Sequence, residues 1–93
     1  MKKRVTIEKQ GYELIKNHRD AFNEEDLLNR ISDYFDPFDY IVGDYAYNKL
    51  RLKGFYDANN KAVKELNNIN LVDNYLEETC AVDCRHFILK KLN

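Results

Sequence analysis

The chain has no tryptophan, one proline, three glycines, two cysteines and a single serine, Ser32. Each scarcity excludes something. Gly11, Gly43 and Gly54 lie too far apart to form a phosphate-cradling loop. Ser32 falls inside an amphipathic stretch with no histidine beside it, so there is no nucleophile elbow for a hydrolase triad. Two cysteines cannot form the disulfide framework of a small secreted domain, and together with the early Glu8 and Lys9, which interrupt any apolar signal region, they lead us to expect a cytoplasmic protein. No apolar run approaches the roughly 18 residues that a bilayer requires. No membrane association is expected.

What is present is charge and aromatic surface. At 93 residues the chain is expected to form a single domain spanning 1–93, with 44% hydrophobic and 33% charged residues and a formal net charge of −1. The charges are sorted by segment: residues 1–19 carry +4, 20–44 carry −7, 45–56 carry +3, 57–84 carry −4 and 85–93 carry +3. The basic blocks coincide with strand patterns and the acidic blocks with helical ones.

Alternation in Val5, Thr6, Ile7, Glu8 and Lys9, then Gln10-Gly11 as a turn, predicts a β-hairpin over residues 4–18. Leu27, Leu28, Ile31, Tyr34 and Phe35 recur at the helical period, with Asn23 as N-cap, Glu24, Glu25 and Asp26 at the positive end of the dipole, and Asp36-Pro37 as the stop. Residues 39–56 predict a second hairpin turning near Gly43-Asp44. The asparagine-rich residues 57–69 favour loop, with a short helix at Lys61 to Leu66 as the alternative, and residues 71–79 read as a second helix capped by Asn70. Phe87, Ile88, Leu89 and Leu92 complete the pattern as a C-terminal strand apolar on both faces, as a central strand is. The expected fold is α+β: a small, mainly antiparallel sheet of two hairpins and a C-terminal strand, with both helices packed on one side.

Phe38-Asp39-Tyr40-Ile41-Val42-Gly43-Asp44-Tyr45, then Leu50-Arg51-Leu52-Lys53-Gly54-Phe55-Tyr56, then Tyr75-Leu76-Glu77-Glu78 followed by Cys80, Cys84, Phe87, Leu89 and Lys90, resemble in order and spacing the YutD-like family of Firmicute bacteria. The resemblance covers residues 38–90. It implies a small cytoplasmic α+β domain and transfers no catalytic residue.

Two constellations carry chemistry. The first is a strand face of Tyr47, Lys49, Arg51, Lys53 and Phe55, to which Tyr45 also belongs if the strand runs straight through. Cations there would neutralise an anionic partner and rings would stack or anchor, which predicts a non-catalytic binding module, without a cofactor, for RNA in a ribonucleoprotein or for an acidic protein surface. The second is Cys80, Cys84 and His86, residue types that zinc prefers or that thiol chemistry uses, though their spacing supplies neither four ligands nor a Cys-x2-Cys pair. It defines the rival reading of a metal- or thiol-dependent protein. A third reading is a protein-protein adaptor using the tyrosine-rich hairpin. Asp33, Asp36, Asp39 and Asp44 are also close enough in sequence to gather around a divalent cation.

Overall fold

The computed structural model describes residues 3–79 and 84–92. Five strands form one antiparallel sheet: β1 (Lys3–Ile7), β2 (Gln10–His18), β3 (Tyr40–Ala46), β4 (Lys49–Phe55) and β5 (His86–Lys91), in the order β1-β2-β5-β3-β4. The C-terminal strand is therefore central, wedged between the two hairpins, as its two-faced apolar pattern requires.

That position decides the layering. Phe87 and Leu89 project to one face, where Val5, Ile7, Tyr12, Leu14, Ile41 and Leu50 join them beneath Leu27 of helix α1 (Glu24–Arg30). Ile88 projects to the other face, with Tyr40, Val42 and Phe55 beneath Leu76 of helix α2 (Val72–Thr79). The α+β class, the hairpins and the central strand match the expectation. The helices do not share a side. Each sheet face presents buried apolar side chains, so each needs its own cover, and the two helices supply one apiece.

Local chemistry explains the element boundaries. Asn23 caps α1, its Oδ1 accepting from the Asp26 amide at 3.0 Å. The helix stops at Ile31, whose backbone is extended, and resumes as a 3-10 turn at Asp33–Phe35. The break buries Phe35 and turns Tyr34 outward, which one continuous helix through the predicted stripe would not do. In residues 57–71, short side-chain-to-amide bonds do the shaping. Asp57 accepts from the Asn59 amide, Asn60 from that of Ala62, and Asn67 from that of Lys64. Asn68, rather than Asn70, provides the cap that leads through a 3-10 turn into α2.

Both tight turns lie elsewhere than glycine suggests. The first hairpin turns at Glu8-Lys9, with Ile7 opposite Gln10. The second turns at Tyr47-Asn48, with Ala46 opposite Lys49 and both turn residues at positive φ, 53° and 64°. Gly43 instead sits in β3 because a ring occupies its side-chain space: a Cβ there would lie 2.3 Å from Phe87 Cζ. At Gly11 the nearest atom is Arg4 Nη2 at 3.1 Å, the far end of a flexible side chain. We therefore expect Gly43→Ala to destabilise the fold by about 2–3 kcal/mol through overpacking. Gly11→Ala should cost well under half of that in the same urea titration.

Candidate functional site

Four polar residues form one row across the sheet on the α2 face. His18 of β2 lies opposite His86 of β5, His86 opposite Asp44 of β3, and Asp44 opposite Arg51 of β4. A bulge between Leu14 and Lys16 shifts the β2 register by one residue, which carries His18 to this face and leaves Asn17 opposite Phe87 on the other. The His18 and His86 rings stack with centroids 5.0 Å apart.

Asp44 is 1% exposed and is held in a two-pronged pair by Arg51, Nε to Oδ1 at 2.9 Å and Nη2 to Oδ2 at 3.1 Å. Arg51 Nη2 also donates to the Thr79 carbonyl at 2.9 Å, at the negative end of α2. The bond to Asp44 holds the guanidinium further above its already high ordinary value. Sequence reasoning assigned Asp44 to a turn, yet it is a buried carboxylate that ties β3, β4 and α2 together.

Three of the five expected binding residues are thus committed internally. Arg51 is paired with Asp44. Lys53 Nζ donates to the Leu66 carbonyl at 2.8 Å and sits over the rings of Tyr75 and Phe55, at 4.5 and 5.0 Å from their centroids. Phe55 is buried in the second core cluster. The expected open strand face is partly covered by α2 and residues 57–71, because β4 supplies that cluster with one of its apolar anchors; the Arg51 side chain on it is still 44% exposed. Tyr45 faces the opposite way. The two-residue turn pairs it with Leu50, placing it on the α1 side, where its hydroxyl donates to Asp26 Oδ2 at 2.7 Å. Burial, then that carboxylate, pushes the Tyr45 phenol up to about 12. Arg85 lies over the same ring at 4.4 Å.

Tyr47 and Lys49 remain exposed at the tip of the β3-β4 hairpin. Beside them, Asn48, Lys49 and Leu50 share a shallow depression of about 290 Å³ with Asp26, Asn29 and Arg30 of α1.

The rival cluster takes a different form from that expected. Cys80 lies outside the described residues. Cys84 is disulfide-bonded and packs against the second core cluster, so it presents no free thiolate. Among the described residues no three of His, Cys, Asp and Glu come together as a metal-binding group. The four aspartates do not gather: Asp33 and Asp36 share the 3-10 turn after α1, Asp39 accepts from the Asp57 amide and Asn60 Nδ2, and Asp44 is in the Arg51 pair.

His86 is buried, with Nδ1 3.0 Å from the Cys84 carbonyl. A carbonyl only accepts, so Nδ1 carries the proton of the neutral ring, and Nε2 is a buried acceptor with no partner among the described residues. Burial, first of all, pushes the His86 pKa down, with Lys16 and His18 adding to the effect. The unfolded chain then binds more protons than the folded one below the ordinary histidine value of about 6.5. The contribution of His86 to stability is present above that pH and is lost as pH falls through it toward the depressed folded value. We expect urea midpoints of the wild type to fall between about pH 7 and 5, and His86→Phe to flatten that part of the profile.

Residues 6–90 match the family described as "Putative antitoxin YutD-like". The protein of Bacillus subtilis (strain 168) named "Putative antitoxin YutD" is 41% identical over 88 residues, covering 95% of this chain and 97% of that protein. The solution NMR structure of yutD from B. subtilis superposes with a TM-score of 0.81 at 40% identity, covering 97% of this chain and 82% of that one. With nearly the whole chain aligned in both sequence and structure, the protein belongs to the YutD-like family.

Proposed function

We propose that this protein is a non-catalytic module that binds a partner protein through the tip of the β3-β4 hairpin and the adjoining end of α1. One observation carries the reading: Tyr47 is 99% exposed and sits at φ 53°. A left-handed conformation costs a side chain such as tyrosine about 1 kcal/mol, and glycine or asparagine would occupy the turn without that cost. Strain combined with an aromatic ring held in solvent is what an anchoring residue looks like before its partner arrives. Lys49 and Arg30 are exposed beside the tip and add positive charge, which suits an acidic protein surface.

The B. subtilis relative bears the name "Putative antitoxin YutD", and a binding role for this chain is in keeping with that name. RNA is the weaker alternative. A single-stranded platform needs several rings and cations along one open face. Here Arg51 and Lys53 are already bonded to groups of the fold and Phe55 is buried.

Tyr47→Asn tests the reading, because it separates stability from binding. We expect its urea midpoint to rise, by about 1 kcal/mol in stability, while partners captured by the tagged protein weaken about tenfold or more. Partners of the wild type should survive nuclease treatment. Their loss on nuclease digestion, or full retention by Tyr47→Asn, would overturn the proposal.

A further inference from the structure

At the opposite end of the strands from Tyr47, a cavity of about 380 Å³ opens between the β1-β2 turn, the 3-10 turn after α1 and the end of β5. It stands apart from the hairpin tip, and its reading does not depend on the proposal above. Ile7, Ile31 and Phe35 give it apolar walls. Tyr12 also lines it and is 3% exposed, yet its hydroxyl makes no hydrogen bond to the described residues. Burial and the charge of Asp36 raise the phenol's pKa, so the hydroxyl stays protonated and lies within reach of the Asp36 field.

The charged groups on the wall are unbalanced. Glu8, Asp33 and Asp36 line the cavity against Lys9 and Lys91. Lys91 is already engaged, its Nζ donating to the Asp36 main-chain carbonyl at 2.6 Å. Ser32, also on the wall, makes no side-chain capping bond to the 3-10 turn it precedes. A hydroxyl that opens into the cavity from an otherwise buried ring, an excess of carboxylate and apolar sides together describe a particular guest.

We propose that this cavity binds a cation carried on an apolar stem, an alkylguanidinium or alkylammonium group. The stem lies against Ile7, Ile31 and Phe35, and the head is met by the Tyr12 hydroxyl and the carboxylates of Asp33 and Asp36. Two sources offer this chemistry: a free small amine, or an arginine or lysine side chain of another protein.

NMR titration of the intact chain with n-butylguanidinium chloride tests the site, with sodium butyrate as a probe of similar stem and opposite charge. We expect saturable shifts of the Ile7 and Ile31 methyls with the cation and none with butyrate. Tyr12→Phe should weaken binding about three- to tenfold and Asp33→Asn with Asp36→Asn about tenfold or more. A matching urea midpoint for Tyr12→Phe and wild type would show the loss to be local. A capped Ala-Arg-Ala peptide that binds at least as tightly as butylguanidinium assigns the guest to a protein side chain. A peptide that is excluded while the free cation binds assigns it to a small molecule. Absence of saturation, equal response to butyrate, or unchanged affinity in Tyr12→Phe would overturn the proposal.

Discussion

The architecture depends on the insertion of the last strand into the middle of the sheet. β5 hydrogen-bonds to β2 on one side and to β3 on the other, so neither hairpin reaches the other without it. A central strand that buries Phe87 and Leu89 on one face and Ile88 on the other leaves no sheet surface that water can cover cheaply. Two separate apolar covers become obligatory. α1 and α2 are both short, and each is held by the face it covers more than by its own propensity. The chain also closes this arrangement late in sequence, because pairing of residues 12–18 and 40–44 with residues 86–91 spans most of its length.

Much of this was legible. Val5 and Ile7 announced a strand by alternation, Asn23 with its acidic followers announced a helix start, and the two-faced C-terminal run announced a central strand. The same run also implied covers on both faces. Placing both helices on one side contradicted it, and the two-faced strand was the stronger signal. The sorting of charge along the chain does not carry over to the folded surface. The β-pairing of Asp44 with Arg51 brings charges from an acidic and a basic block into direct contact. Segment sums cannot show such a cancellation.

The candidate binding face changed in two ways: Tyr45 left it through the shifted turn, while Arg51, Lys53 and Phe55 kept one face and met α2 and residues 57–71 there. Reading the turn at Gly43-Asp44 allows one strand from Tyr45 to Phe55, and period two then puts every odd residue on one face. The true turn at Tyr47-Asn48 places Tyr45 opposite Leu50 and sends its ring to the α1 side. Turn residues are chosen by φ, and asparagine tolerates the left-handed region, so Asn48 was the available clue. Gly43 had a different reason to be glycine, the Phe87 ring above it, which no local pattern reveals. The Tyr12 cavity was equally invisible, since its walls come from three segments far apart in sequence.

The two ends of the strands now differ in kind. At one end the β3-β4 turn holds Tyr47 out in a strained backbone beside exposed cations, a convex feature suited to entering a partner. At the other, the first hairpin and the broken end of α1 enclose a concave site with a spare hydroxyl and surplus negative charge. Between them the Asp44-Arg51 pair and the Phe87-Gly43 contact fix β3 against its neighbours, so neither end can shift without disturbing a buried group. The break at Ile31 serves both ends: it ends α1 where Arg30 lies beside the hairpin tip, and it frees Phe35 to form a wall of the cavity. A continuous helix through Phe35 would have carried the predicted stripe and built neither surface.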